Sequence, residues 1–231
     1  MNNNARAKFC PSLMCVDLLN AREQLAVVSR RADVGHLDIM DGHFAPNLAL
    51  SPADAGAFRR ACTLPLEAHL MTTEPERWID AFAEAGVSEI TLHAETIQSN
   101  AFRLIRRIEA LGISPGIALC PASAVDVAEY LLERARILTI MTVDVGYSGQ
   151  AFIWEMLRKI ERAREFRSIR GYSYEIQIDG GCAAGTFRAL REAGADRFVM
   201  GNALFAGADG LDASFDRVYA QYREATGEDA G

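Results

Sequence analysis

The sequence predicts an α/β fold of one kind, an eight-stranded (β/α)8 TIM barrel, on three observations. Short β-rich apolar runs alternate about eight times with longer amphipathic stretches, which implies a parallel sheet joined by crossover helices. At 231 residues a closed barrel fits this alternation better than an open doubly wound sheet. No G-x-G-x-x-G follows the first strand, which argues against a dinucleotide fold.

The strands are expected at residues 9–14, 34–40, 64–71, 89–93, 116–119, 137–143, 174–179 and 197–200. After strand 1 comes the helical pattern "DLLNAREQLAVVSRRA", and after strands 3 and 4 come "EPERWIDAFAEAG" and "AFRLIRRIEALG". "AVDVAEYLLERA", "IWEMLRKIERAREF" and "TFRALREAGA" follow strands 5, 6 and 7. Gly86, Gly112 and Gly194 close three of these stretches, as glycine does at helix C-termini. No low-complexity tract or Pro/Ser-rich linker divides the chain, so residues 1–231 read as a single barrel domain.

Half of the residues are hydrophobic, enough for a sizeable core, and 24% are charged, as is ordinary for a globular domain. The net charge of −7, with no basic stripe, excludes a nucleic-acid surface. The N-terminal stretch has no signal-peptide core and nothing downstream approaches a membrane span, so no membrane partner is expected. Five cysteines (Cys10, Cys15, Cys62, Cys120 and Cys182) without C-x-x-C spacing read as reduced thiols in a cytoplasmic protein.

A barrel keeps its chemistry at the C-terminal strand ends. All four histidines fall there: His36 late in strand 2, His43 in the loop after it, His69 near the end of strand 3, and His93 at the end of strand 4. In "HLDIMDGHF" (36–44), His36 and Asp38 are two apart and share one strand face. His69 points inward from strand 3, and Asp179 closes strand 7 in "YEIQIDGG". Two histidines and two aspartates suit one divalent cation with open positions for substrate. Two separate structural His–Asp pairs are the alternative.

Three glycine loops follow successive strands: "VDVGYSGQ" (143–150), "DGGC" (179–182) and "MGNALF" (200–205). Barrels bind phosphate after strands 7 and 8 through backbone N–H groups, and glycine lets the backbone come close to the anion. None of the three loops contains lysine or arginine, so backbone dipoles would carry the binding.

Taken together, "PSLMCVDLL", "HLDIMDGHFAPN", "EAHLM", "ITLHAET", "TIMTVDVGYSGQAF", "IDGGC" and "AGADRFVMGNALF" resemble the ribulose-phosphate 3-epimerase family along almost the whole chain. Within the family the likeness is greatest to the branch acting on D-allulose 6-phosphate, through "SLMCVDLL", "NLALSP", "TLHAETIQSNAFRLI" and "YEIQIDGGC". Pentulose enzymes usually carry glycine at Ser51 and a hydrophobic residue at Cys182.

The resemblance implies a ribulose-phosphate-binding barrel and a metal-dependent 3-epimerase of a phosphorylated ketose. It would interconvert D-allulose 6-phosphate and D-fructose 6-phosphate, or else D-ribulose 5-phosphate and D-xylulose 5-phosphate. It makes His36, Asp38, His69 and Asp179 the ligands of one divalent ion per chain. Zinc is the first choice, with manganese, iron, cobalt or magnesium the other candidates. Asp38 and Asp179 become the acid/base pair acting on the two faces of an enediolate. Ser12, His69 and the methionines Met40, Met71 and Met141 become substrate contacts. So do the phosphate-end segments: Gly146, Tyr147, Ser148 and Gly149; Gly180 and Gly181; Gly201, Asn202 and Ala203. His43 and His93 are left to a lid or a supporting role, and a homo-oligomer is expected.

Val145 and Trp154 stand where the family usually has proline, and Asn202 where it usually has serine. They bear on substrate grip rather than on the reaction. A same-fold decarboxylase or lyase would want a lysine near the strand ends, yet the chain has only Lys8 and Lys159. A non-catalytic sugar-phosphate sensor is the remaining rival, with no signalling segment to support it.

Overall fold

The computed structural model describes residues 6–230; residues 1–5 and 231 of the expected single domain lie outside the described residues. Eight strands form one parallel sheet: β1 (Lys8–Pro11), β2 (Gly35–Met40), β3 (Leu66–Met71), β4 (Glu89–His93), β5 (Ser114–Leu119), β6 (Ile137–Met141), β7 (Glu175–Asp179) and β8 (Arg197–Met200). Their order is β1-β8-β7-β6-β5-β4-β3-β2, and a parallel bridge from Ser12 to His36 joins the two ends into a barrel. Each strand lies within about three residues of its expected place, because strands buried on both faces read as short continuous apolar runs.

The helices are α1 (Ala21–Arg31), α2 (Pro52–Ala61), α3 (Ile79–Glu84), α4 (Ala94–Ile97), α5 (Ala101–Ala110), α6 (Met156–Arg170), α7 (Phe187–Ala193), α8 (Asn202–Phe205) and α9 (Leu211–Thr226). One expectation fails. Residues 124–135 form a 3₁₀ turn, Val125–Ala128, and further turns instead of an α-helix. Val125, Ala128 and Leu131 are buried at a spacing of three, the period of a 3₁₀ helix, and most of the backbone bonds here span three residues. α2 is not among the expected helices. It is set by its start, where Ser51 and Asp54 form a capping box ahead of Pro52.

Outward strand residues such as Phe9, Leu37, Ile90, Ile117, Ile176 and Phe198 are fully buried in the main core against the helices. Inward residues are largely polar, whereas barrel interiors are commonly filled by Val, Ile and Leu. Near the N-terminal strand ends, Arg197 of β8 donates from both terminal nitrogens to Glu89 of β4, at 2.7 and 2.9 Å. Halfway up, Gln177 of β7 reaches Glu67 of β3 at 2.9 Å. The upper tier holds Asp38, His69, His93 and Asp179, brought side by side by the register that pairs Asp38 with His69 and Met141 with Asp179. Among the described residues, no helix is long and apolar enough to cross a membrane.

Candidate active site

Ligand-capable atoms of His36, Asp38, His69 and Asp179 all lie within 4.8 Å of one another at the C-terminal ends of β2, β3 and β7. His36 Nε2 is 3.4 Å from Asp38 Oδ1 and 3.7 Å from Asp179 Oδ2. His69 Nδ1 is 3.8 and 3.3 Å from the same two oxygens. His36 Nε2, His69 Nδ1 and Asp179 Oδ2 are buried with no hydrogen-bond partner among the described residues. Orphaned buried atoms are costly, and three of them facing one point indicate a missing central partner. Bonds of about 2.0–2.2 Å to a divalent ion would set neighbouring ligands roughly 3–3.5 Å apart, close to these contacts. The donor set therefore fits a cation such as zinc, manganese, iron or cobalt.

Each histidine is held from its far side. His36 Nδ1 lies 2.8 Å from Glu67 Oε2, so its Nδ1 proton is drawn to that carboxylate and Nε2 is turned toward the centre. Glu67 is fully buried and also accepts from Thr91 Oγ1 (2.6 Å) and Gln177 Nε2. His69 Nε2 lies 2.9 Å from His93 Nε2. Burial would raise the Asp38 carboxyl, but His36 and His69 outweigh it and hold Asp38 far below the usual carboxylate range. Burial likewise opposes a charge on His36, yet Glu67 and Asp38 lift it well above an ordinary histidine. His93 goes the other way, down to about 4, because burial dominates and Glu95 only partly opposes it. Charge thus accumulates at the four-residue centre while His93 behind it stays neutral.

Above the centre opens a cavity of roughly 240 Å³. Asp38 and Asp179 reach it, and so do Ser12, whose hydroxyl donates to Asp38 Oδ2 at 2.5 Å, and the three methionines Met40, Met71 and Met141. The segments 146–149, 180–181 and 201–203 line the same cavity. Two glycines there are required by space and backbone alike. Gly180 (φ +113°) would bring a Cβ within 2.6 Å of Val143, and Gly181 (φ +62°) within 2.9 Å of Phe152. Every residue expected to touch substrate lines the cavity except His69, which is fully buried beneath it. His93 joins the centre through His69, whereas His43 is exposed in the loop after β2.

Three neighbours were not singled out from the sequence: Glu67, Gln177 and Glu95. The signal was present, because Glu67 precedes His69 by two and Gln177 precedes Asp179 by two, the same spacing that pairs His36 with Asp38. Of the departures, Asn202 accepts from Ser148 Oγ at 3.2 Å and so ties two of the glycine loops together. Val145 packs on the Met40–Ala45–Met71 cluster, and Trp154 is half exposed with its edge against Phe152.

The ribulose-phosphate 3 epimerase family model matches residues 8–205. The chain belongs to the ribulose-phosphate 3-epimerase family. It is 35% identical over 204 residues to the ribulose-phosphate 3-epimerase of Bacillus subtilis, covering 87% of this chain and 94% of that one. It is 37% identical over 200 residues to that of Treponema pallidum, covering 86% and 91%. Membership makes the protein an enzyme, an isomerase. Its fold is also that of 3-hexulose-6-phosphate synthase, with a TM-score of 0.70 at 18% identity, over 95% of this chain and 99% of the other. That likeness concerns the barrel alone.

Proposed function

We propose that the enzyme inverts C3 of a phosphorylated ketose, with D-ribulose 5-phosphate and D-xylulose 5-phosphate as its substrate pair. The observation that carries this reading is the meeting of two carboxylates, the buried Asp38 from β2 and the part-buried Asp179 from β7, at the floor of a glycine-rimmed cavity. One aspartate removes the C3 proton beside the ketone; the other returns a proton to the opposite face of the planar enediolate. His36, Asp38, His69 and Asp179 hold one divalent ion, zinc first, which supplies Lewis-acid stabilisation of the negative charge. Ser12 orients Asp38 through its hydroxyl, the methionines give the sugar an apolar floor, and the loops at 146–149, 180–181 and 201–203 offer backbone N–H groups to the phosphate. Lys8 and Lys159 lie outside the cavity; Lys159 donates to the carbonyls of Cys120 and Pro121 at 2.8 and 2.6 Å, which leaves lysine-based lyase chemistry without its residue.

The pentulose pair follows the name shared by relatives at 35–37% identity. A hexulose substrate, D-allulose 6-phosphate, is the second reading, favoured by Cys182 on the cavity wall. Ser51, the other mark of that branch, is accounted for by its capping of α2. The same reading treats residues 1–231 as one domain of a cytoplasmic homo-oligomer, consistent with five unpaired cysteines. Measuring kcat/KM on both ketose phosphates with one preparation tests it. Placing the phosphate about 1 Å wrong can cost on the order of 10²-fold, so a clear preference for ribulose 5-phosphate is expected. The opposite preference would move the enzyme to the hexulose branch, and turnover of neither would overturn the epimerase reading.

A further inference from the structure

Beyond the four residues at the centre, a second row of side chains runs outward from His69. His93 Nε2 touches His69 Nε2 at 2.9 Å, and His93 Nδ1 lies 3.3 Å from Glu95 Oε2. Glu95 is itself pinned, since its Oε1 accepts from the backbone N–H of Cys120 at 2.9 Å and from the Ser123 hydroxyl. Cys120 Sγ lies 3.4 Å from the same His93 Nδ1.

A contact between two imidazole nitrogens holds one proton, and which ring carries it is decided at the outer end of the row. A carboxylate can only accept, so Glu95 draws a proton onto His93 Nδ1. With the Nδ1 proton directed at Glu95, the other nitrogen of His93, Nε2, is the one left to accept from His69 Nε2–H across their 2.9 Å contact. His69 in turn is left with a proton-free Nδ1, and this is the atom that faces Asp38 Oδ1 and Asp179 Oδ2 without a partner. With the reverse assignment, His69 would carry its proton on Nδ1, where it would block a cation.

We propose that Glu95, acting through His93, sets the tautomer of His69 and so turns a bare Nδ1 toward the four-residue centre. Glu95 is a positioning residue, two side chains removed from the reacting atoms. The assignment rests on the reading that this centre holds a cation.

Glu95→Gln is the informative change. The N–H of Cys120 and the hydroxyl of Ser123 would retain the amide oxygen, leaving the NH₂ group to face His93 Nδ1 as a donor. The relay should then reverse, with the His93 proton moving to Nε2. Two readouts are taken: zinc affinity by chelator competition, and imidazole ¹⁵N spectra that locate the ring protons. Zinc affinity is expected to fall 10- to 100-fold, the usual effect of losing an outer partner of a ligating histidine, with His93 switching tautomer. Affinity within twofold of wild type, with the His93 proton still on Nδ1, would overturn the proposal. The wild-type spectrum decides by itself if the variant fails to fold, because a proton on His93 Nε2 there also overturns it. If the wild type takes up no zinc, the cation reading falls, while a His93 proton on Nδ1 still supports the relay.

Discussion

The two ends of the barrel both bury charge, and they differ in what that charge touches. At the N-terminal end, Arg197 is 2% exposed and is met by Glu89 and Glu175, and Glu175 is met again by Lys8 at 2.7 Å and Arg136 at 3.3 Å. At the C-terminal end, His36, His69 and Asp179 each present an atom with no hydrogen-bond partner among the described residues. A buried ion that is fully paired is a structural element, whereas three buried polar atoms left unpaired around one point call for a ligand, unlike the single unpaired atoms of Thr72, Asn100 and Gln177. Charge inside a barrel is therefore a poor guide to function by itself. Unmet hydrogen-bonding capacity gathered at one point is the better one.

The largest expected effect is at the unpaired end. In the proposed mechanism Asp179→Asn and Asp38→Asn each remove one proton carrier, so net epimerisation should drop by on the order of 10³-fold or more, within the range general acid–base groups supply. Thermal unfolding should change little. In D₂O the two variants, with metal content checked, should each label the C3 position of a different epimer without interconverting them, as NMR of both ketose phosphates would reveal. Labelling of the same epimer by both would point to one base on one face.

Next in size is the paired end. Arg197→Ala leaves Glu89 buried without its cation, a change that typically costs about 3–5 kcal/mol, while the part-buried Glu175 keeps Lys8 and Arg136. The denaturation midpoint should fall accordingly, while kcat/KM of the folded fraction stays near wild type. A loss of activity without a loss of stability would erase the distinction between the two ends.

Between the ends stands Glu67, which accepts from Thr91 and Gln177 and faces His36 Nδ1. Glu67→Gln places an amide where the ring proton needs an acceptor, so metal affinity should weaken by about 10- to 100-fold. Chelator competition measures it. An unchanged affinity would class Glu67 with the structural end.

This middle tier also shows how far the sequence could be read. His36, Asp38, His69 and Asp179 were legible because a histidine or aspartate at a strand end is out of place in an apolar run, and only the barrel brings the four together. Glu67 and Gln177 sit one strand step lower, where an inward polar residue pairs across the barrel with a strand more than a hundred residues away. Strand alternation gives the side on which a residue lies but not its partner across the interior. The α2 start and the 3₁₀ turn at Val125–Ala128 escaped for a local reason, since capping and a period of three leave weaker traces than a long amphipathic stripe. The chain-length preference is a matter of cavity shape that no single residue spells out.

The smallest expected effect separates position from pairing. Asp41 lies at the catalytic rim, just beyond β2, yet both of its oxygens are engaged. Oδ2 accepts from Thr73 N and Oγ1 at 2.8 and 2.9 Å, and Oδ1 accepts from His43 N and Phe44 N at 2.9 Å each. Burial would raise this carboxyl, but the donors from Thr73, Phe44 and His43 outweigh it and bring it down to about 2. A carboxylate whose folded value is depressed contributes stability above its unfolded value near 3.8, and that contribution disappears as pH falls through about 2. Asp41→Asn should therefore cost about 1–2 kcal/mol at pH 7, discounted for partial exposure. The gap from wild type should narrow between pH 4 and pH 2. Urea midpoints of both proteins at pH 7, 4 and 3 test this, with kcat/KM at pH 7 expected to change less than tenfold. A gap that stays constant across those pH values would mean that the Asp41 charge contributes nothing. A loss of activity as deep as that of Asp179→Asn would mean that closeness to the cavity, rather than unmet hydrogen bonding, marks the residues that do the chemistry.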